Sequence, residues 1–496
     1  MAGLDIEKRL LNDDEGRSIP TMTELTKRLT DICGPRRVSD RMADRICHTR
    51  DCGPSPGGVP AVIVRPQSTE EVAAIVELAN ELKTSIFVWG RSTTFIGAGI
   101  PEGCILMALD LMNQVEAIDF ESQVVTVQPG AVWHAVDTEL NKHGWELAVA
   151  GPGGMFSCTI GGCVAYNAVP HGITEYGMTG DQVVCLEVVL PNGEVINTGS
   201  AANVAAGSLA FERYANGPDL AGLFIGACGT LGIITKVTYR IQRIPPAERF
   251  LFYAFDDYTK TVDAAQAIQT QSAATFMIGL FGGPNPVGIE GDGFLHVIIR
   301  DNPLAAEERR GIAAAICESF GGNPQDWHAT KNYWVDHMYS WLRNFPPETY
   351  YSHRPYGAPE MAGFIPTPKV KDAIRYLREY KESHEEEFAR LDIRIKCYDV
   401  YFSRNGAFLW IDTLYPEQDP EAWQYGVNLR ATYADDLCNQ FMSPGGILQA
   451  LAPVIMPKLG PGFEFLKFLK AHLDPNYILN PGVLLLQPEE TQEAGK

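Results

Sequence analysis

Residues 151–168, GPGGMFSCTIGGCVAYNA, carry the pattern with the clearest chemical meaning in this chain. The stretch contains five glycines, two of them in a Thr-Ile-Gly-Gly core, and it ends on Asn167-Ala168. Small residues leave backbone N–H groups accessible, and consecutive N–H groups can form a concave site for phosphate. About sixty residues upstream, residues 85–101 are predicted to form a buried strand at 86–89 that runs into a second loop of this kind, rich in Gly, Ser and Thr. Two such loops predict one diphosphate held from two sides, and therefore a dinucleotide cofactor.

The two common nucleotide-binding patterns do not match this chain. A Rossmann fold requires G-x-G-x-x-G between a strand and a helix. Gly97, Gly99 and Gly103 come nearest to that spacing, but Pro101 intervenes and an apolar, strand-like run follows. The phosphate loop G-x-x-x-x-G-K-[ST] is missing from the sequence. The sequence therefore favours a different dinucleotide-binding fold.

Seven motifs follow one another along the chain. They are Val62–Pro66 with Ser68–Val72, Gly90–Gly97, Val127–Gly130, Thr159–Gly162 with Asn167-Ala168, Tyr176-Gly177, Gly229–Thr235, and Asp474–Asn476 with Ile478–Gly482. Taken in this order, they resemble the FAD-linked oxidases of the vanillyl-alcohol oxidase and p-cresol methylhydroxylase type, a group that includes the bacterial glycolate and D-lactate dehydrogenases. The resemblance runs from about residue 25 to residue 486, and it implies FAD as the cofactor.

The resemblance also implies which residues hold FAD. Gly90–Gly97 and Pro152–Gly162 are expected around the pyrophosphate, Gly229–Ile234 near the adenine and ribose, and Asn480 near the isoalloxazine ring. The individual residues expected at the cofactor are Trp89, Gly90, Arg91, Ser92, Thr93, Thr94, Gly97, Pro152, Gly153, Gly154, Ser157, Thr159, Gly161, Gly162, Asn167, Gly229, Gly232, Ile234 and Asn480. Relatives of the berberine-bridge type tether the flavin through a first-loop histidine and a cysteine. Arg91–Thr94 supplies no such histidine, and Cys158 is displaced by one position, so non-covalent FAD is expected.

The substrate side departs from two groups of relatives. The glycolate and lactate dehydrogenases carry H-x-G-D-G-N-x-H and G-E-H-G, which bind a metal beside the hydroxy acid. The corresponding stretches here are Phe402–Leu409 and Ser443–Gly446, which contain no histidine and no carboxylate. No metal is therefore expected. The Tyr-Arg pair that holds a phenolate in the vanillyl-type enzymes also has no counterpart at Gly445-Gly446.

A polar aromatic cluster at 336–341 and 350–356 supplies the candidate catalytic residues. His353 could accept a hydroxyl proton near neutral pH. Arg354 could hold a carboxylate through two hydrogen bonds, and Tyr351 could orient an oxygen. Tyr401 is a further candidate, as is Arg404. An ordinary surface loop is the alternative, and His296, on an apolar strand, is interpreted as a core residue.

Composition excludes several classes of protein. The chain has 496 residues, 45% of them hydrophobic, and a net charge of −21, which argues against nucleic acid or an anionic membrane as the main partner. No apolar run approaches the roughly 18 residues of a membrane span. Met1–Arg17 is charged and lacks the apolar core of a signal peptide. A cytoplasmic location is therefore expected.

The predicted fold class is α+β. From Ala61 onward, short strands alternate with helices, including one at Thr69–Leu82 after a Ser-Thr-Glu-Glu capping signal. The pattern changes after Pro245-Pro246, where strands mix with helices near 258–271, 304–320, 367–389 and 418–441. The prediction is a two-part FAD-binding domain of p-cresol methylhydroxylase type at residues 1–245, rejoined by 476–496. Residues 246–475 then form a substrate cap with a mixed or antiparallel sheet covered by helices.

The expected function is an FAD-dependent oxidoreductase that oxidises a small alcohol or 2-hydroxy acid by hydride transfer to flavin N5. One alternative is an aromatic alcohol or alkylphenol oxidase, and another is an FAD-binding electron-transfer subunit without its own chemistry. The expected partners are a small-molecule substrate and an electron acceptor, which could be oxygen, a quinone or an electron-transfer protein. A homo-oligomer and a subunit of a larger complex are both open.

Overall fold

The computed structural model describes residues 22–49, 57–94, 99–148, 151, 154–281, 289–339, 356–357, 360–416, 418–444 and 451–488. These residues form three sheets with helices packed against them. Two smaller sheets are built from residues 38–243, and one large sheet from residues 247–444. This architecture confirms the predicted α+β class.

The first sheet carries the loop that begins at residue 90. Its strand order is β1-β2-β4-β3, with β2, β4 and β3 parallel and β1 antiparallel to β2. The strands are β1 (Val38–Ser39), β2 (Val62–Val64), β3 (Ile86–Trp89) and β4 (Ile105–Ala108), and the helices packed on them are α1 (Met22–Cys33), α2 (Met42–Ile46) and α3 (Thr69–Leu82). The helix α3 begins where its capping signal predicts, because the Ser68 hydroxyl accepts a hydrogen bond from Glu71 N at 3.3 Å.

The second sheet is antiparallel and carries the other two glycine-rich loops. Its order is β5-β6-β10-β8-β9, and β7 also pairs with β10. The strands are β5 (Val115–Asp119), β6 (Val124–Val127), β7 (Trp145–Leu147), β8 (Val183–Val189), β9 (Val195–Asn197) and β10 (Ile233–Arg243), and the helices are α4 (Trp133–Asn141), α5 (Ile160–Tyr166) and α6 (Ile173–Tyr176).

The third sheet has nine antiparallel strands in the order β14-β11-β13-β12-β17-β18-β16-β19, with β15 paired to β18. The strands are β11 (Ala247–Phe255), β12 (Phe276–Phe281), β13 (Gly293–Asp301), β14 (Asn323–Pro324), β15 (Tyr356–Gly357), β16 (Glu360–Ile365), β17 (Arg394–Phe402), β18 (Ala407–Pro416) and β19 (Ser443–Pro444). The helices are α7 (Tyr258–Thr270), α8 (Pro303–Ser319), α9 (His328–Tyr339), α10 (Val370–Ser383), α11 (Glu385–Arg390) and α12 (Pro420–Gln440).

The two faces of the third sheet serve different purposes. Alternate residues of a strand point to opposite faces, so Val400 and Phe402 pack under α7, α8, α10, α11 and α12. Tyr401, between them, joins Phe276, Ile278 and Trp334 on the other face. One face is therefore the main hydrophobic core, and the other is available to form the wall of a site.

Residues 452–486 return to the first sheet. They contain α13 (Ala452–Ile455) and α14 (Pro461–Leu473), and Met456 and Phe463 share a core with Ile63 and Phe87. The predicted domain boundaries at 245 and 476 stay a prediction, and residues 452–475, assigned to the cap in that prediction, make part of this contact.

Candidate functional site

One cavity of about 500 Å³ lies where the loops of the first two sheets face the inner surface of the third. Most of the residues predicted at the cofactor line it. They are Trp89, Gly90, Arg91, Ser92, Thr93, Thr94, Gly154, Thr159, Gly161, Gly162, Asn167, Gly229, Gly232, Ile234 and Asn480. Ser157 is described but does not line the cavity. Gly97, Pro152 and Gly153 lie outside the described residues.

The loop after β3 presents a row of hydrogen-bond donors to this cavity. The backbone N–H groups of Gly90, Arg91, Ser92 and Thr93 have no acceptor within the described part of the chain. Ser92 adopts a left-handed conformation, with φ of 51°, and a change of hand between neighbours turns successive N–H groups toward one point. The segment therefore has the form of an anion-binding nest.

The loop before α5 packs tightly against the first one. Thr159 caps α5 by accepting a hydrogen bond from Gly162 N at 3.2 Å. A Cβ on Gly90 would lie 3.0 Å from the Thr159 hydroxyl oxygen, and a Cβ on Gly161 would lie 2.5 Å from the Pro129 side chain. A side chain at Gly90 would crowd the contact between the two loops, and one at Gly161 would collide with Pro129, which follows β6.

Asn480 joins the loop before β10, residues 226–232 and here called the third loop, to the loop after β3. Its Oδ1 accepts a hydrogen bond from Val88 N at 2.8 Å, and its Nδ2 donates to Cys228 O at 2.6 Å. Gly229 follows with φ of 73°, and a Cβ there would lie 2.8 Å from Asn480 Nδ2. Asn480 lines the cavity, and its amide holds two of the loops together.

A buried ion pair fixes the segment that carries Asn480. Lys470 Nζ contacts Asp474 Oδ2 at 2.6 Å, and both side chains are fully buried. The same ammonium donates to Thr230 O at 2.8 Å and to Leu479 O at 2.6 Å. Asp474 also accepts from Ile478 N and Leu479 N. The pair is therefore fully hydrogen-bonded, and it links α14 to the third loop.

These loops fit a dinucleotide diphosphate. A diphosphate requires several N–H donors and a close approach of backbone. The loop after β3 offers four consecutive N–H groups that have no acceptor among the described residues, beside loops with little room for side chains. Arg91 is the charged side chain that the described residues contribute to the lining, and a guanidinium suits phosphate oxygens.

The far end of the cavity is aromatic and is built by the third sheet. It is lined by Ala362, Phe364, Tyr401, Phe408 and Trp410. The rings of Phe364 and Phe408 meet edge to face, with their centroids 5.0 Å apart. Of the four predicted catalytic residues, Tyr401 thus lies in the cavity. Tyr351, His353 and Arg354 lie outside the described residues.

His171 lines the cavity, and sequence reasoning missed it. Its Nδ1 and its backbone N each lie 2.8 Å from Gly151 O. A signal was present, because this histidine stands four residues after Asn167, which closes the predicted phosphate loop. His171 belongs to none of the seven motifs, and the sequence therefore did not single it out.

Two other residues singled out in the sequence lie elsewhere. Arg404, in the turn between β17 and β18, is not in the lining and donates to Glu175 O at 3.4 Å. His296 is 5% exposed, stacked on Phe252 with ring centroids 4.3 Å apart, and 2.7 Å from the Thr330 hydroxyl. His296 therefore has the satisfied core environment that was expected of it.

Two observations on the described residues concern metal binding and attachment of the flavin through Cys158. They contain no group of three or more His, Cys, Asp or Glu side chains arranged to hold a metal ion. A hydrogen bond with Cys163, together with burial, raises the pKa of the Cys158 thiol well above its usual value. Because the thiolate is the nucleophile, Cys158 is a poor candidate for a flavin tether.

Comparison with known proteins identifies the nucleotide-binding part. Residues 60–199 match the family described as FAD binding domain. The mitochondrial D-lactate dehydrogenase [cytochrome] of Arabidopsis thaliana is 35% identical over 224 residues, which are 45% of this chain and 36% of that protein. Glycolate oxidase subunit GlcD of Bacillus subtilis is 31% identical over 243 residues, 49% of each chain. The chain thus spans about half, or less, of the length of these relatives.

Solved structures show the fold over nearly the whole chain. p-Cresol methylhydroxylase with substrate bound superposes with a TM-score of 0.78 at 17% identity, covering 94% of this chain and 97% of the other. Alkyldihydroxyacetonephosphate synthase gives a TM-score of 0.71 at 18% identity, covering 95% and 86%. In the described residues, no helix is both long and apolar enough to cross a bilayer. Residues 60–199 thus match an FAD-binding domain, and the chain as a whole has the fold of p-cresol methylhydroxylase.

Proposed function

We propose that this protein is an FAD-dependent oxidoreductase that dehydrogenates a small alcohol or 2-hydroxy acid. The observation that carries the proposal is one cavity whose lining joins the glycine-rich loops to an aromatic end that includes Tyr401. Bound FAD would supply the acceptor for the hydride that leaves the alcohol carbon. The relatives named as D-lactate dehydrogenase and glycolate oxidase support a hydroxy acid as the substrate.

In this proposal the residues of the chain divide into two groups. The loops at Gly90–Thr94, Gly154–Gly162 and Gly229–Ile234 bind the cofactor, and Arg91 adds a positive charge. Tyr401 orients the substrate oxygen at the aromatic end. The assignment of His353 as base, Arg354 as carboxylate ligand and Tyr351 as orienting group stays a prediction.

One observation favours a second candidate, an aromatic alcohol. The far end is lined by Phe364, Tyr401, Phe408 and Trp410, and aromatic rings pack favourably against other rings. Within the described lining, no cationic side chain accompanies those rings, whereas a hydroxy acid needs a partner for its carboxylate. A benzylic alcohol therefore competes with a hydroxy acid as the substrate.

A substrate panel separates these candidates. The purified protein would be mixed anaerobically with D-lactate, glycolate, D-2-hydroxyglutarate, benzyl alcohol or vanillyl alcohol, and bleaching of the flavin absorbance would be followed. Reduction by the hydroxy acids supports the first candidate, and reduction by the aromatic alcohols alone supports the second. Flavin that no alcohol reduces, but that dithionite does, would favour an electron-transfer subunit.

The same experiment tests the expected absence of a metal. In the structure, Ser403–Gly406 forms the turn of the β17–β18 hairpin, and Ser443-Pro444 forms the short edge strand β19. Reduction by the best substrate is expected to be unchanged in EDTA. Activity lost in EDTA and restored by zinc or manganese would contradict this. Reoxidation of the reduced flavin by oxygen, a quinone or cytochrome c would then identify the class of electron acceptor.

The cytoplasmic location stays a prediction.

A further inference from the structure

His171 lies where the cavity passes from the cofactor loops to the aromatic end. It is 3% exposed and lines the cavity. Its ring meets the rings of Phe276 and Trp334 edge to face, at centroid distances of 5.9 and 6.0 Å. The Tyr401 ring lies 5.7 Å from the same Phe276 ring. His171 and Tyr401 therefore occupy the same end of the site.

The segment that carries His171 is fixed from two sides. Its backbone N and its Nδ1 bind Gly151 O, at the start of the second glycine-rich loop. Three residues later, the Thr174 hydroxyl donates to Phe402 O at 2.5 Å and accepts from Met277 N at 3.0 Å. The imidazole is thus held in register with β17, the strand of Tyr401.

The contact with Gly151 also determines the tautomer of the ring. A carbonyl oxygen accepts hydrogen bonds and cannot donate them, so Nδ1 must carry the hydrogen. In the neutral imidazole the lone pair is then on Nε2. A carbonyl bound to Nδ1–H further stabilises the imidazolium, because hydrogen bonds from a charged donor are stronger. This arrangement is the one that a proton acceptor requires.

We infer that His171 is the general base that takes the hydroxyl proton of the substrate, an inference that rests on the proposed function. The O–H bond breaks, an Nε2–H bond forms, and the electron pair stays on the substrate oxygen. The electron-rich oxygen then favours loss of hydride from its carbon. His171 supplies the deprotonation that the metal-binding histidines of the glycolate and lactate dehydrogenases assist, and that no side chain in 402–409 or 443–446 supplies here.

The variant His171→Asn tests the base without removing the anchor. The asparagine amide nitrogen takes the place of Nδ1–H and still donates to Gly151 O, but no group replaces Nε2. FAD content and thermal stability should stay near wild type, while kcat for flavin reduction by the best alcohol of the panel falls roughly 10²–10⁴-fold. His171→Ala loses the anchor as well, so it should also bind FAD more weakly.

His472→Asn is the matched control. His472 makes the same type of contact, Nδ1 to Phe468 O at 2.8 Å, but is exposed on α14 and does not line the cavity. It should leave both FAD content and kcat unchanged. Wild-type kcat in His171→Asn would overturn the inference. Acid precipitation gives a second outcome that would overturn it. If the flavin stays with the precipitated wild-type protein but is released from His171→Asn, then His171 is a covalent tether of the flavin and not a base.

A spectroscopic measurement keeps the test independent of any substrate. In holoprotein labelled with ¹⁵N at the histidine rings, the resonances lost in His171→Asn identify this residue. Nδ1 should be of the protonated type and Nε2 of the unprotonated type near neutral pH. A protonated Nε2 in the neutral ring would overturn the inference. Failure of every alcohol to reduce the wild-type flavin would instead overturn the proposed function.

Discussion

At the scale of single residues, the proposed cofactor site depends on positions that have no side chain. The Thr159 hydroxyl lies at the contact between the first two loops, and side chains added at Gly90 or Gly162 would place their Cβ atoms 3.0 Å or 2.9 Å from it. The loops can approach one another, and a diphosphate can approach their backbone, only because both positions are glycine.

Gly162→Asp should impair FAD binding through the bulk of its side chain and, in addition, through its charge. The new carboxylate would lie beside the diphosphate, and two unit charges about 4 Å apart near a protein surface repel by about 4 kcal/mol. Gly162→Asn has the same shape without the charge. We expect FAD affinity in Gly162→Asp to be roughly 10²–10³-fold lower than in Gly162→Asn, measured by titrating the apoprotein. Equal affinity in the two variants would show that Gly162 does not face the diphosphate.

At the scale of elements, α14 and the segment after it act as a clamp on the cofactor loops. Lys470, on α14, donates hydrogen bonds to Asp474, to Thr230 O and to Leu479 O. Burial lowers the pKa of Lys470, while the Asp474 carboxylate opposes that shift. A buried ion pair adds little net stability over an apolar pair, but losing one partner leaves an uncompensated buried charge.

Lys470→Met should for that reason destabilise the protein by about 3–5 kcal/mol and release FAD at a lower temperature. Its control is Lys467→Met, on the same helix, which removes an ion pair with Glu464 in which the Lys467 side chain is 32% exposed. Surface pairs of this kind contribute about 0–1 kcal/mol. Thermal melting followed by flavin fluorescence compares the two variants. Similar melting curves would mean that the clamp does not support the site.

Elements with local signals were predictable from the sequence, and contacts between distant elements were not. The helix Thr69–Leu82 was predicted with its observed bounds, since its cap and its apolar spacing lie within fifteen residues of sequence. The range 367–389, predicted as one helix, contains two. The first ends at Ser383 and the second begins at Glu385, on either side of His384, whose ring stacks on Tyr380. The pairing of β12 with β17 depends on the whole second half of the chain, so no local pattern indicated it.

The site follows the same rule. The glycine-rich loops that line the cavity could be singled out because the chemistry of phosphate binding favours glycine in the sequence itself. The catalytic end could not, because His171 becomes informative only when Gly151 and Phe276 are seen beside it. The side chain of Tyr401 faces the cavity through the alternation of β17, and the register that fixes this alternation is set by a strand more than a hundred residues away.

At the scale of the whole molecule, one buried histidine affects the response to acid. His296 lies between the rings of Phe252 and Tyr333, and its Nδ1 donates to the Thr330 hydroxyl, which itself donates to Leu251 O. Burial lowers the pKa of His296 from 6.5 to about 3. The folded protein therefore keeps this ring neutral at pH values where the unfolded chain protonates it.

The sign of the pH dependence follows from this difference. Below pH 6.5 the unfolded state binds a proton that the folded state does not, so stability is lost as the pH falls toward 3, by up to about 1.4 kcal/mol per pH unit. His296→Asn keeps a donor to Thr330 and cannot be protonated. Its free energy of unfolding, measured in urea from about pH 6.5 down to about pH 4.5, should fall less steeply than that of wild type. The difference between the two slopes should correspond to about one proton taken up on unfolding. Parallel slopes would contradict the pKa assignment.

The clamp also has a consequence for the order in which this protein matures. Asn480 completes the cavity wall against Val88, which precedes it by 392 positions in the chain. During synthesis, the region that matches the FAD-binding family leaves the ribosome long before residues 470–486, so the pocket stays open on one side until they arrive. Flavin loading is then a late event that follows translation of the cap. A cell short of flavin would accumulate apoprotein in which residues 470–486 pack against the loops of an empty cofactor site.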